Sequence, residues 1–347
     1  MAKTVNNAFD EFFENTVNVL SSKSDGAKKS RDWLFSQIQN ICDNGAFLKS
    51  APEYNITFGS YSRKTKIKPL DDIDIIIGLK GGDLEVNGNV WNDISLKVKS
   101  TCQDNLILNL SDKPSQWSDD KYLNSNKVKN KLVSALGNIP QYENADIHAR
   151  GAAVTLKLKS YEWTYDIVPS FFAEGDQFNN PYYLIPNGKG KWQKTNPKLE
   201  QERVSRLNQK FNNTVLKTIR LVKYWNRRGQ MPNITSYVLE TIVLDYFDQA
   251  SHNKVVDNKT SDWVDLHFRN VLNYIGSNIM SNVQDTKKIQ GNINDLEWQQ
   301  KYKIQQRAIN DYNKARDAVT AETTESDMKK SINLWRDIFG SDFPQYV

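Results

Sequence analysis

The sequence predicts an α+β protein, with a mixed sheet and its helices in the first part and an all-helical second part. Three observations predict it. A β-branched run at 73–77, bounded by Asp72 and Gly78, reads as a buried strand. Two further apolar runs, 152–158 and 163–168, flank Lys159-Ser160-Tyr161 and read as a hairpin. From about Glu200 onward the apolar residues recur at helical spacing, in runs at 203–228, 235–249, 262–279 and 297–321. A boundary near residue 205 follows, giving a core of 1–205 and a helical lobe of 206–347, with the first helices bracing both.

Residues 5–20 place Val5, Phe9, Phe12, Phe13, Val17 and Leu20 at helical spacing. The polar stretch 21–26 reads as a break. A second helix is expected from about Ser30, with Leu34, Ile38, Ile41 and Cys42 on one face. Residues 54–58 read as a short strand ending at Gly59-Ser60, and Gly81-Gly82-Asp83 reads as a turn. Residues 122–136 predict a helix with a lysine-rich solvent face. Pro169 is expected to end the second hairpin strand. A turn at Asn187-Gly188 leads into basic residues, and the polar stretch 321–330 reads as a surface bend. There is no internal repeat and no long linker.

Composition narrows the function classes. The chain has 347 residues, 38% of them hydrophobic and 25% charged, which suits a globular protein of about two domains. Two cysteines, Cys42 and Cys102, exclude a disulfide framework. With three histidines, His148, His252 and His267, they also exclude a zinc finger or ribbon. The net charge of +5 suits a phosphate-bearing partner but falls short of the basic stripe of a duplex binder. Residues 1–13 hold acidic groups where a secretory leader needs an apolar run, and no stretch approaches the ~20 apolar residues of a membrane span. A reduced, cytoplasmic setting is the expectation.

The sharpest feature is a set of acids. Asp72 and Asp74 open a strand, and residues i and i+2 of a strand share a face. Ile73, Ile75 and Ile77 then point the other way, into a core. Asp166 lies in another strand, in Tyr165-Asp166-Ile167-Val168-Pro169, and supplies a third carboxylate if the strands adjoin. Crowded carboxylates repel, and a divalent cation relieves the repulsion. Mg²⁺ takes a few carboxylates together with phosphate oxygens and water. Two such ions, roughly 3.5–4 Å apart, clamp the attacking and leaving oxygens of a phosphoryl displacement. Upstream, Gly59 lets the backbone approach a phosphate, and Ser60 supplies a hydroxyl and an amide donor at a helix start. A lone Asp-x-Asp is usually a solvated turn. The combination with Gly-Ser and a distant strand acid is far more specific.

The stretch Gly59-Ser60-Tyr61-Ser62-Arg63-Lys64-Thr65-Lys66-Ile67-Lys68-Pro69-Leu70-Asp71-Asp72-Ile73-Asp74 resembles the signature of polymerase-β-type nucleotidyltransferases. Within them it is most similar to the bacterial cGAS/DncV-like enzymes (CD-NTases) of anti-phage CBASS signalling, relatives of oligoadenylate synthase. Tyr183-Leu184-Ile185-Pro186-Asn187-Gly188 with Trp192, and Leu334-Trp335-Arg336-Asp337-Ile338-Phe339-Gly340 with Phe343-Pro344, look like the same group, so the resemblance spans nearly the whole chain. It implies a polymerase-β-type core joined to a C-terminal helical lobe, with the active site in the cleft between them. It implies Asp72, Asp74 and Asp166 as metal ligands and catalytic acids, with Asp166 helping to activate the attacking hydroxyl. It implies Gly59 and Ser60 as the phosphate turn. Lys223 and Ser236 would hold the β- and γ-phosphates, and Tyr237 would stack on a base. The implied cofactor is Mg²⁺ as two ions, with Mn²⁺ as a substitute.

The implied substrates are nucleoside triphosphates (ATP, GTP, UTP or CTP), and the product a cyclic di- or oligonucleotide second messenger. A cyclic-nucleotide-activated effector and regulatory proteins are the implied partners. The zinc-binding insertion of the animal sensor is missing, which argues against activation by DNA. Arg63, Lys64, Lys66 and Lys68, with Lys189, Lys191 and Lys194, are expected to flank the cleft. Two alternatives stay open: a related transferase making linear 2′–5′ oligonucleotides or modifying an RNA, protein or small molecule, and a non-catalytic nucleic-acid-binding or scaffold protein. Base choice, linkage and ring size depend on pocket side chains that the sequence does not place.

Overall fold

The computed structural model describes residues 2–112, 119–175, 180–228, 231–252 and 263–347. Along the chain come α1 (Val5–Phe12) with a π turn (Phe13–Val17), α2 (Ser21–Asp43), β1 (Ile56–Phe58), α3 (Gly59–Ser62), β2 (Asp72–Leu79), β3 (Leu84–Asn87) and β4 (Ser95–Val98). Then follow α4 (Asn105–Leu110), α5 (Ser125–Gly137), β5 (Asp146–Arg150), β6 (Ala153–Lys157), β7 (Thr164–Ala173), β8 (Tyr182–Pro186) and β9 (Trp192–Thr195). The rest is helical: α6 (Pro197–Lys210), α7 (Thr214–Arg227), α8 (Ser236–His252), α9 (Val264–Asn278), α10 (Trp298–Thr323) and α11 (Met328–Phe339).

These elements form two compact units. A sheet unit comprises Ser21–Ser62 and Leu70–Pro197, and a helical unit comprises Met1–Leu20, Arg63–Pro69 and Lys198–Val347. The single boundary read at 205 thus gives way to an interleaved division. The reason is apolar burial. Val5, Phe9 and Phe12, and Ile67 far along the chain, all enter the core built by Trp225, Trp335 and Phe339.

In the sheet unit the strand order is β1-β2-β7-β6-β5, and β8 pairs with β7 and then β9. All these pairings are antiparallel except that of β2 with β7. Ile73, Ile75 and Ile77 are buried as their alternation predicts, while Asp72 and Asp74 are half-buried. Helix α2 buries Leu34 and Ile38, and α5 buries Val128, Leu132 and Leu136 while packing against β5 and β6. The Tyr165 hydroxyl donates to the Ala27 carbonyl at 3.3 Å, fixing α2 on the sheet face opposite Asp166, since neighbours along a strand face opposite ways.

Three expectations are corrected here. The polar stretch 21–26 is helical, not a break, and α2 runs unbroken through Gly26. The Trp163 ring lies 3.7 Å from where a Cβ at Gly26 would stand, so tertiary packing overrides local propensity. Pro169 does not end its strand, because β7 continues to Ala173. Pairing with β6 stops at Ile167 and pairing with β8 starts at Phe171, so the missing N–H falls in a gap of the antiparallel ladder. The run 203–228 is two helices, divided where Asn212 and Asn213 adopt φ of 46° and 67°, a backbone that Asn tolerates better than most residues. The small β3–β4 sheet and α4 carried no sequence signal read above.

The helical unit is an aromatic-rich bundle. Thr4 caps α1 by accepting from the Asn7 amide at 3.2 Å. Phe9 then meets Trp335 edge-on at 5.2 Å and Phe343 at 5.1 Å, and Phe12 meets Phe339 at 5.1 Å. Each such pair contributes about 0.5–1.5 kcal/mol beyond its buried area. On α7, Val215, Ile219, Val222 and Trp225 are fully buried at helical spacing. The Trp225 indole N–H donates to Asp311 at 2.8 Å, and the Arg307 guanidinium lies 4.3 Å over its ring. No described helix is long and apolar enough to cross a membrane.

One half-buried acid makes this bundle pH-sensitive. Burial, aided by the Asp265 charge, pushes the Glu322 carboxyl up from 4.5 to about 7. The folded value lies above the unfolded one, so the protonated form is the one that folding favours. That contribution is complete below about pH 4.5 and fades as pH rises through about 7. Glu322→Gln is therefore expected to raise the melting temperature at pH 8 and to change it little at pH 5. Thermal unfolding of both proteins across that range checks this.

Candidate active site

The register of β2 against β7 assembles the acids. Asp74 is the direct partner of Asp166, and Asp72 is the partner of Thr164. In a parallel pair, partners point to the same face, and the strands lie about 4.8 Å apart. Asp72, Asp74 and Asp166 therefore share one face and are all half-buried. Their neighbours Ile73, Ile75, Tyr165 and Ile167 are buried on the other.

The flanking strands complete the site. Antiparallel β1 sets Phe58 opposite Asp74, so the chain turns at Gly59 directly beside that carboxylate. Gly59 has φ +70°, and a Cβ there would stand 1.8 Å from Asp74 Oδ2. Both facts demand glycine. Gly59 and Ser60 open the four-residue helix α3. On the other side, β6 sets Thr155 opposite Asp166, and the Thr155 hydroxyl donates to Asp166 Oδ1 at 2.9 Å. Thr155 escaped the sequence reading, because its only signal is a cross-strand register that needs the pairing to be known.

The donor set suits a hard divalent cation, being all carboxylate oxygen. Among the described residues, no three acidic, His or Cys side chains close around one point as a finished metal cage. That is the arrangement Mg²⁺ tolerates, since it keeps waters and substrate phosphate oxygens in its shell.

Lys223, Ser236 and Tyr237 lie in the helical unit. Ser236 is exposed at the first residue of α8. Lys223 on α7 is 6% exposed. Its ammonium pairs with Glu240 Oε1 at 2.6 Å and donates to the Thr65 carbonyl at 3.2 Å. Burial lowers its pKa, which Glu240 partly counters. Glu240 also accepts from Arg63 Nε at 2.9 Å and Thr65 Oγ1 at 3.0 Å. Burial opposes its charge, yet Arg63 and Lys223 hold its carboxyl below the ordinary range. Arg63 further pairs with Glu200 at 2.7 Å. Tyr237 donates to Asp285, and the Lys287 ammonium lies 4.2 Å over its ring. Burial pushes its phenol pKa up, as does the Glu200 charge. Sequence reasoning passed over Glu240 and Glu200. Glu240 could have been found four residues after Ser236, one turn along the same face of α8.

The remaining basic residues fall variously. Lys68 donates to the carbonyls of Glu14 and Asn15 at 3.0 and 2.9 Å, Lys191 pairs with Asp93 at 2.9 Å, and Lys194 lies 4.7 Å over the Tyr182 ring. His148 is exposed and contacts Asp146 at 3.2 Å.

No family model matches the chain. A probable cyclic nucleotide synthase of Bacillus cereus (strain VD146) is 36% identical over 353 residues, covering 100% of this chain and 99% of that protein. Among solved structures, E. coli MS115-1 CdnC in complex with HORMA-deltaN aligns at a TM-score of 0.66 and 15% identity, over 97% of this chain and 98% of that one. A mutant Vibrio cholerae dinucleotide cyclase (DncV), bound to ATP and GTP, aligns at 0.65 and 10% identity, over 99% and 96%. With 36% identity along its whole length to a probable cyclic nucleotide synthase, and with the mixed-sheet and helical fold shared with CdnC and DncV, this chain belongs to the bacterial cGAS/DncV-like nucleotidyltransferases.

Proposed function

We propose that this protein joins nucleoside triphosphates into a cyclic di- or oligonucleotide second messenger in a Mg²⁺-dependent reaction, as part of anti-phage defence. The observation that carries this reading is the in-register pair Asp74 and Asp166, with Asp72 on the same face and Gly59 leaving room beside Asp74. The relative's name and the ATP and GTP in the DncV structure support the substrate class.

Asp72, Asp74 and Asp166 would hold Mg²⁺, which supplies positive charge at the phosphoryl oxygens. Gly59 and Ser60 offer backbone and hydroxyl donors to the donor triphosphate. A ribose hydroxyl of the acceptor attacks the α-phosphorus, a P–O bond forms, and the bond to pyrophosphate breaks. The hydroxyl proton passes toward Asp166, whose carboxylate Thr155 holds in place. A second attack of the same kind closes the ring. In the helical unit, Lys223 and Ser236 would contact the β- and γ-phosphates and Tyr237 a base. The CdnC complex with HORMA-deltaN supports a regulatory protein partner, and a nucleotide-activated effector would receive the product.

Incubation of the pure protein with NTPs and Mg²⁺ tests the reading. A phosphatase-resistant product is expected, and a phosphatase-sensitive linear oligomer would count against ring closure. Asp72→Ala, Asp74→Ala and Asp166→Ala should each lower turnover by at least about 10²–10³-fold, the scale of losing one essential electrostatic group. Thr155→Val should cost about 10–100-fold, the usual effect of an outer partner of a metal ligand. Gly59→Ala should also abolish product formation, because its methyl group meets the Asp74 carboxylate. Chromatographic product assays on variants with unchanged circular dichroism check all of these.

A further inference from the structure

The helical unit holds a carboxylate that the proposed chemistry does not yet use. Glu240 is 2% exposed and receives three donors from two distant segments. Its Oε1 takes the Lys223 ammonium and the Thr65 hydroxyl, and its Oε2 takes the Arg63 guanidinium. Stability alone is a weak reason for such a cluster, since apolar residues of similar volume generally serve a core as well or better.

Its geometry has a sharper consequence. Thr65 and Arg63 belong to Arg63–Pro69, the strap that joins α3 to β2. Lys223 also donates to the Thr65 carbonyl. A lysine ammonium has three donors, and these contacts use two. A phosphate oxygen can take the third only where Glu240 and Thr65 have aimed it.

We propose that Glu240 is a positioning residue for nucleotidyl transfer, fixing the Lys223 ammonium for the donor triphosphate. This rests on the nucleotidyltransferase reading given above. Glu240→Asp keeps the charge but shortens its reach by one methylene. In that variant KM for the donor triphosphate should rise on the order of tenfold, with kcat less affected. In a Lys223→Met background the same substitution should leave KM where Lys223→Met alone puts it. A wild-type KM in Glu240→Asp, or an equal rise in both backgrounds, overturns the proposal and leaves Glu240 a purely structural acid. If Glu240→Asp does not fold, Lys223→Met is compared with Lys223→Met/Glu240→Gln, which removes both charges together. Equal KM values support the proposal and unequal values overturn it. A wild-type protein that makes no oligonucleotide from any NTP defeats the underlying reading instead, so the two failures are distinct.

Discussion

Everything chemical in the sheet unit follows from how β2 lies against β7. The two strands run parallel with Asp74 opposite Asp166, and side chains alternate faces with a period of two. A slip of one residue would turn Asp166 into the apolar layer and bring Tyr165 or Ile167 onto the carboxylate face. Neighbouring strands then inherit the same register. Because β1 pairs with β2, the chain must turn at Gly59 beside Asp74. Because β6 pairs with β7, Thr155 stands beside Asp166. The turn at Gly59 and the hydroxyl that meets Asp166 are both consequences of one alignment.

What holds that alignment against the repulsion of three acids is the opposite face. Ile73, Ile75, Ile77 and Ile167 are buried there. Full burial of an aliphatic side chain is worth about 1.5–3 kcal/mol, so four contribute on the order of 10 kcal/mol. Two like charges 4 Å apart repel by about 1 kcal/mol in water and about 4 kcal/mol at an effective dielectric constant of 20. The carboxylates are half-buried, which places them between these limits. The apolar face therefore dictates the register, and the acids are carried into proximity by it. A cation that binds them removes a repulsion the fold has already overcome.

The sequence reading recovered what is local. Asp72 and Asp74 share a face because of strand periodicity, and Gly59 was read as a point where the backbone can come close to a phosphate; both readings need no partner strand. The strand holding Asp166 was legible as a strand, but its alignment with Asp74 was not, since pairing across some ninety residues leaves no mark in either segment. Thr155 was hidden for the same reason. The start of α2 was missed because Ser21 to Gly26 are poor helix formers alone and become helical where Gly26 passes close to Trp163. Residues 63–69 read as part of a continuous motif, yet Ile67 is buried in the helical core and draws the strap out of the sheet unit. A linear boundary cannot express that.

Lys223 shows the difference between a residue type and a residue in place. Read from sequence, it is a point charge that could reach a phosphate. In the fold it is a buried ammonium 2.6 Å from Glu240, whose charge partly counters the effect of burial. Asp166 is treated the opposite way. Its hydrogen bond comes from the hydroxyl of Thr155, which orients the carboxylate without neutralising it. Charged donors stabilise Glu240 as an internal counter-ion, whereas a neutral donor leaves Asp166 able to attract a cation. A carboxylate matched to an arginine and a lysine has little reason to bind metal, and one aimed by a threonine beside two more acids has every reason to.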